Sequence, residues 1–267
     1  MNLKKYFTLT RAGVIEALEF RLSFFVKFVG NILYLIVVYF LWKAIYDSAG
    51  TDTVNGMTFI DTLIYLVLAT ALFNFMGTYT VWDIGQNIQS GKIILYLLRP
   101  MEYRKYLFWA STGWQVTQFF LTFLPTFIVV TLVAKASIHI GLNLVYFAFS
   151  ILMAISINYS IDFFVGTICL YTESIWGINI MKQVIVLLFS GATIPIAFFP
   201  EILKKVMFFL PFQSIYNAPL LILLDKNSTP KMLFLTLGTQ FLWCILMMVL
   251  SKFFWNLSVR RITVNGG

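Results

Sequence analysis

The sequence predicts an all-α integral membrane protein with six transmembrane helices. Of its 267 residues, 60% are hydrophobic and only 11% are charged, and its mean hydropathy is +0.86. A soluble domain carries about 25% charged residues, so most of this surface must meet lipid. A spanning helix needs about 20 mostly apolar residues, and six stretches qualify. They are Phe24–Ile45, Phe59–Thr80, Leu107–Ala134 with a kink expected at Pro125, Leu142–Cys169, Ile178–Ala197 and Met232–Leu257.

The basic residues predict the orientation of these spans. The chain has a formal net charge of +8, and its Lys and Arg lie mostly between the apolar stretches. If the N-terminus is cytoplasmic, 13 of the 19 basic residues fall in inner segments and 6 in outer ones, as the positive-inside rule requires. We therefore expect a multi-pass protein of the cell membrane with both termini cytoplasmic. The positive charge indicates contact with anionic membrane lipids rather than with nucleic acid.

Residues 1–22 have the pattern of an amphipathic helix before the first span. At 100° per residue, Lys4, Arg11 and Glu19 fall in one polar arc, and apolar residues such as Phe7 fill most of the remainder. A helix of this kind lies in the plane of the lipid headgroups. We expect an interfacial elbow helix here, either as a generic anchor or as a specific docking element.

Catalytic constellations are missing from the sequence. Its one histidine, His139, lies in a short predicted outer loop, and neither Cys169 nor Cys244 has a neighbouring His or carboxylate. Gly85–Lys92 resembles a phosphate loop but has five residues between its glycines instead of four, and it lacks the following Ser or Thr. We expect no catalytic residue, no metal and no cofactor, and hence no enzyme.

Two acidic residues are candidates for a functional role, because buried charge in a membrane is costly. Asp162 lies 20 residues after Leu142, roughly 30 Å along a helix, which places it near the inner interface. Interfacial snorkelling or a salt bridge is therefore favoured there over an ion relay. Glu173 stands beside the start of the fifth predicted span.

The loop over residues 82–106 carries a family resemblance. It contains two isoleucines one helical turn apart, then a glycine, a second apolar run and an Arg-Pro pair. This resembles the cytoplasmic loop of ABC-2-type permeases, in the subgroup with a Gly…Leu-Leu-Arg-Pro stretch after the second span. In that family the loop bears a coupling helix that docks into a groove of the nucleotide-binding subunit. The resemblance assigns coupling to Asp83, Ile84, Gln86, Ile88, Gly91, Arg99 and Pro100, with Ile84 and Ile88 presented to the groove.

A second resemblance lies in the outer segment over residues 195–230. The fifth span of these permeases ends in a Gly- and Pro-broken segment that folds back near the outer leaflet, and Pro195, Phe199, Pro200 and Pro211 lie in the matching stretch. Non-helical backbone at membrane depth must be buried in protein or line a cavity. We expect a re-entrant segment along the transport pathway; the alternative is an ordinary outer loop with a surface helix.

The resemblance covers essentially the whole chain, as a single permease domain over residues 1–267. It implies an ABC exporter in which two permease chains, identical or homologous, form a pathway and separate ATPase subunits hydrolyse ATP. The substrate would be amphiphilic, such as a drug, an antimicrobial peptide or a lipid-like molecule. Two alternatives stay open. An ATP-independent secondary transporter would normally show paired charges near mid-bilayer and internal repeats, and a membrane-embedded lipid-modifying enzyme would need a His or acid cluster.

Overall fold

The computed structural model describes residues 3–19, 21–133, 141–172, 174–225 and 229–261, and most of them are helical. The helices are α1 Leu3–Glu19, α2 Arg21–Ala49, α3 Phe59–Met76, α4 Thr80–Gln89, α5 Ile93–Leu97, α6 Tyr103–Gln118, α7 Leu124–Val133, α8 Leu142–Ile168, α9 Ile175–Phe189, α10 Glu201–Phe209, α11 Asn217–Leu224 and α12 Pro230–Ser258. A short hairpin of β1 Thr53–Val54 and β2 Met57–Thr58 joins α2 to α3. Its turn residues Asn55 and Gly56 have φ of 50° and 81°, which a two-residue hairpin turn requires.

Among the residues that the structure describes, five helical segments are long and apolar enough to cross a membrane. They are Phe24–Ala49, Phe59–Gln89, Tyr103–Val133, Leu142–Ile168 and Pro230–Ser258. The prediction of an all-α membrane protein is therefore confirmed.

The fifth predicted span differs from the other five. We placed it over Ile178–Ala197, but α9 has 15 residues and ends at Phe189, so it is only about 22 Å long. The chain leaves the helix at Ser190 and turns at Gly191, whose φ of 78° is unfavourable for residues with a side chain. The predicted end of this span is thus too late, because the turn at Gly191 was not recognised.

The third span contains an irregularity where Pro125 predicts one. α6 and α7 are joined by a π-helical turn over Phe119–Phe123, and Pro125 is the second residue of α7. Proline lacks the N–H of the helical ladder, and its ring clashes with the carbonyl four residues earlier. A π-helical turn inserts one residue into the ladder and relieves this conflict.

Two hydrophobic clusters hold the bundle together. The larger one joins α2, α3, α7, α8, α9, α11 and α12, and Leu68, Leu72 and Ala154 are fully buried in it. The smaller one joins α4, α5, α6, α8 and α12, and its core includes Ile84 and Trp255. We call the end of the bundle with the smaller cluster the α4 end. The opposite end, with the hairpin, α10 and α11, is the α10 end.

The N-terminal helix packs directly on α6. A Cβ added to Gly113 would lie 2.5 Å from the carbonyl oxygen of Thr10 and 2.6 Å from the Cα of Gly13, so the two helices approach with backbone against backbone. Thr10 Oγ1 also donates a hydrogen bond of 3.1 Å to the carbonyl oxygen of Trp109. Phe7 remains exposed. The helix predicted over residues 1–22 is present as α1, whereas its position in the headgroup plane stays a prediction.

Candidate functional site

The junction of α3 and α4 is a polar site inside the bundle. α3 ends at Met76, Gly77–Tyr79 is not helical, and α4 follows. The carbonyl oxygen of Met76 accepts hydrogen bonds from Asn158 Nδ2 at 3.0 Å and from Gln115 Nε2 at 3.4 Å. Carbonyl groups at a helix end have no partner within the helix, so these buried amides of α8 and α6 stabilise the break.

Asp162 of α8 lies beside this break and is fully buried. Its Oδ1 is 2.6 Å from Lys182 Nζ of α9, and its Oδ2 accepts a hydrogen bond of 2.5 Å from Thr78 Oγ1. Of the two roles that we expected for Asp162, interfacial snorkelling and a salt bridge, the salt bridge is present, and it ties α8 and α9 to the break. No local pattern in the sequence indicates Lys182 as the partner. Glu173, the second acidic candidate, lies outside the described residues.

Ile84, which we expected to be presented to a partner protein, faces the interior of this chain. Ile84 is fully buried against α8, where a Cβ added to Gly166 would be 2.7 Å from its Cδ1. The next residue, Gly85, is equally close to α9, because a Cβ there would be 2.7 Å from Ile175. Ile88 is half-buried against the smaller cluster. The apolar face of α4 is therefore occupied by α8, α9 and the smaller cluster.

The exposed apolar side chains of the 82–106 loop lie further along, around α5. Leu95 is 62% exposed and Leu98 is 78% exposed; we call these two residues the Leu95–Leu98 surface. Arg99 stands beside it, with its guanidinium 4.6 Å from the ring centroid of Tyr96 and 5.2 Å from that of Tyr106. Partial burial raises the pKa of the Tyr96 phenol above its usual value, so Arg99 stacks on a neutral ring.

The other residues assigned to coupling lie at the margins of this loop. Asp83, Gln86 and Pro100 are exposed. Gly91 has a φ of 70° in the turn between α4 and α5, a conformation that suits glycine. The structure therefore brings the assigned residues together at the α4 end but divides them between a buried face and an exposed one.

The outer segment is tied into the bundle by buried polar side chains. Tyr65 of α3 donates from its hydroxyl to the carbonyl oxygen of Gly191 at 3.0 Å and to Asn217 Oδ1 at 3.2 Å. Gln240 of α12 donates from Nε2 to the carbonyl oxygen of Ser214 at 2.8 Å. The Gly191 and Ser214 carbonyl groups thus have partners within the protein, which is the condition for non-helical backbone at membrane depth. A re-entrant position of this segment stays a prediction.

The two short helices of this segment differ in burial. α11 is enclosed, with Leu220 and Ile222 buried, whereas α10 exposes Ile202 at 81%. The surface-helix alternative therefore fits α10 and does not fit α11. Of the four residues assigned to this segment, Pro195 and Pro211 are buried, Phe199 is half-buried and Pro200 is exposed.

Two adjacent cavities open between α2, the α3–α4 break and α6. The larger has a volume of about 680 Å³ and the smaller about 410 Å³, and Lys27, Thr78, Tyr79 and Trp114 line both. Sequence reasoning did not single out these residues. The available signal was Lys27 itself, a charge just inside an apolar span.

Comparison with known proteins identifies the family. The sequence model of the ABC-2 family transporter protein matches residues 32–266, which include α3 to α12 and most of α2. A comparison with curated proteins finds no match. Because the matched region is most of the chain, the resemblance to the ABC-2 family is confirmed, whereas the subgroup with the Gly…Leu-Leu-Arg-Pro stretch stays a prediction. The chain belongs to the ABC-2 transporter family and is a multi-pass membrane component of a transporter.

Proposed function

We propose that this chain is the permease subunit of an ATP-driven exporter and that it is coupled to separate ATPase subunits at its α4 end. One observation carries the proposal. The Leu95–Leu98 surface stays exposed while the neighbouring Ile84 and Ile93 are fully used within the chain. Exposed apolar side chains beside the charged Lys92 and Arg99 are typical of a site that binds another protein.

A movement of this surface is transmitted to the bundle through direct contacts. α5 follows α4 after a short turn at Gly91, and α4 contacts α8 through Ile84 and α9 through Gly85 without room for a further methyl group. Close-packed helices move together rather than deform. A displacement of the loop therefore moves α8 and α9, and with them the Asp162–Lys182 pair beside the break.

The coupling proposal predicts that Leu98→Glu prevents recovery of the ATPase. The matched control is Ile202→Glu, because Ile202 is similarly exposed and lies on α10 at the opposite end. The proposal expects a phosphate-loop ATPase to be encoded next to the permease; the two proteins are co-expressed and purified through a tag on the permease. We expect Leu98→Glu to lower ATPase recovery at least about tenfold, the effect of losing a buried apolar anchor, and Ile202→Glu to leave it unchanged.

Full ATPase recovery with Leu98→Glu would contradict this docking site. Ile88→Asp is a poorer probe than the sequence implied. Ile88 packs against the smaller cluster, so a charge there disturbs folding as well as docking.

The same proposal includes a second permease chain, identical or homologous, and an amphiphilic substrate. Only 6% of the residues in the apolar stretch of α2 are buried within the chain. This helix is therefore available to contact another permease. Cross-linking between cysteines placed at Gly30, which has open space around it, tests the identical-chain arrangement. Absence of cross-linked dimers in native membranes would count against it.

The proposed orientation has the α4 end and both termini in the cytoplasm, in line with the basic residues. Asn55 of the hairpin and Lys92 of the loop are both exposed and lie at opposite ends of α3–α4. We expect Asn55→Cys to react with an impermeant thiol reagent on intact cells and Lys92→Cys to react only after lysis. Labelling of Lys92→Cys from outside would reverse the orientation.

One observation favours the alternative of an ion-coupled secondary transporter. Asp162 and Lys182 form a buried charge pair, a feature expected of that class. The pair lies near one end of the bundle, however, since Asp162 is roughly 30 Å from the start of α8, rather than at mid-bilayer. Transport by purified protein in vesicles under an ion gradient, without ATPase or ATP, would support this alternative.

A further inference from the structure

The larger cavity combines an apolar wall with polar groups at membrane depth. Aromatic side chains of α2 and α3, among them Phe24, Phe28 and Phe73, form one part of its lining. Amide side chains form another part, and Asn74 Nδ2 donates a hydrogen bond of 3.4 Å to Asn31 Oδ1 between the two helices. Such a lining matches an amphiphile, since its apolar portion and its polar portion each find a suitable surface.

Lys27 is the charged residue among the described residues that line this cavity. Its Nζ donates a hydrogen bond of 3.0 Å to the Tyr79 hydroxyl and lies 4.5 Å from the ring centroid of Trp114. Within the described part of the chain, no carboxylate lies within ion-pair distance of Lys27, and the ion pairs there involve other lysines. Its ammonium group is therefore oriented by aromatic side chains and available to an anion.

Lys27, Tyr79 and Trp114 line both the larger cavity and the smaller one. Glu16 and Asp83 line the smaller cavity and do not line the larger. An anionic group in the larger cavity is attracted by Lys27, while the two carboxylates repel it from the smaller cavity. The arrangement of charge thus favours an anion in the larger cavity only.

The position of Lys27 along α2 indicates where the charged group of a ligand would lie. Lys27 is three residues after Phe24, the first residue of the apolar span, and so only about 5 Å from its start. This is the level at which lipid headgroups meet the hydrocarbon core. A ligand that holds its charge at Lys27 can extend its apolar chain along α2 and α3.

We propose that the larger cavity binds an amphiphile with a phosphate-bearing headgroup of net negative charge, with the phosphate at Lys27 Nζ and the apolar chain along Phe28 and Phe73. The inference deepens the proposed permease function and rests on it for the interpretation of this ligand as a substrate. Binding itself is independent of any ATPase. Phosphate binding at a single lysine is a point-charge interaction, so arginine can replace it and glutamine cannot.

The test is a lipid titration of the purified, delipidated protein followed by native mass spectrometry. The probes are phosphatidylglycerol, phosphatidylcholine and inorganic phosphate. We expect wild type to bind phosphatidylglycerol roughly fivefold more tightly than phosphatidylcholine, the factor expected from one lysine beside an anionic headgroup. Lys27→Gln should lose this preference and Lys27→Arg should keep it. Inorganic phosphate at millimolar concentration should not displace the lipid.

Lys252→Gln is the matched control. Lys252 is exposed and lies outside the cavity. It is roughly 33 Å from the start of α12, and Lys27 is at the same distance from the end of α2. The preference should persist in Lys252→Gln. A preference unchanged in Lys27→Gln, or lost equally in Lys252→Gln, would overturn the site, and displacement by inorganic phosphate would overturn the amphiphile. None of these outcomes bears on ATPase recovery with Leu98→Glu, so the two proposals can fail separately.

Discussion

The first two membrane spans differ sharply in packing although both are strongly apolar. In the apolar stretch of Phe59–Gln89, 61% of the residues are buried within the chain. In the apolar stretch of Phe24–Ala49, only 6% are buried. The buried span contains the small residues Ala69 and Ala71 and the glycine Gly85, at which neighbouring helices come close. In lipid, apolar residues give no preference for another helix over the acyl chains, so small and polar residues decide which helices associate.

The largest effect is expected where a charge holds the packed region together. Lys182→Met leaves the buried Asp162 carboxylate without its partner, which should lower the free energy of unfolding by about 3–5 kcal/mol. Thermal unfolding in detergent measures the loss. The double variant Asp162→Asn/Lys182→Met should recover part of it, because no uncompensated charge remains. A harmless Lys182→Met would show that this pair does not stabilise the break.

The next largest change in the free energy of unfolding is expected when a leucine of the buried span is replaced rather than one of the exposed span. Leu72 of α3 is fully buried and Leu33 of α2 is 59% exposed. Leu72→Ala should lower the free energy of unfolding by about 2–4 kcal/mol, since it removes contacts and leaves a cavity. Leu33→Ala should change it by less than about 0.5 kcal/mol in the isolated chain. Equal losses would break the comparison and place Leu33 in an interface with a second chain.

The smallest change in the free energy of unfolding is expected for substitutions at two glycines that differ in the space around them. A Cβ at Gly113 of α6 would meet the α1 backbone at 2.5 Å, whereas Gly30 of α2 has nothing within 4 Å. Gly113→Ala should separate α1 from α6 and lower the free energy of unfolding by about 1–3 kcal/mol. Gly30→Ala should raise it by up to about 1 kcal/mol through helix propensity. Proteolysis of α1 provides a second measure, because only Gly113→Ala should accelerate it.

Hydropathy located the long spans to within a few residues, but local turns were recognised less well. The Asn55-Gly56 pair is typical of a hairpin turn, but no hairpin was predicted there. The break at Gly77–Tyr79 was harder to foresee, because its hydrogen bonds come from Gln115 and Asn158 on other helices. The early end of α9 likewise depends on Tyr65, which satisfies the Gly191 carbonyl from α3.

The candidate site was also predicted only in part, because some of its contacts come from other helices. Asp162 was identified from its cost inside an apolar span, yet its partner Lys182 lies 20 residues away on another helix, and no local pattern links the two. Ile84 was assigned to a partner protein because two isoleucines one turn apart define an apolar face. That face packs on α8 and α9 instead, and the most exposed apolar residues of the loop are Leu95 and Leu98.

The sequence by itself determined that this is a multi-pass, all-α membrane protein of the ABC-2 type, because apolar length and the loop motif are local properties of the chain. Only the tertiary structure decided which apolar residues are used internally, which charge meets Asp162, and that Lys27 faces a cavity with no described carboxylate within ion-pair distance. The physical reason is that burial and charge pairing depend on the atoms opposite a residue. Those atoms lie on helices distant in sequence, such as α8 opposite Ile84 and α9 opposite Asp162.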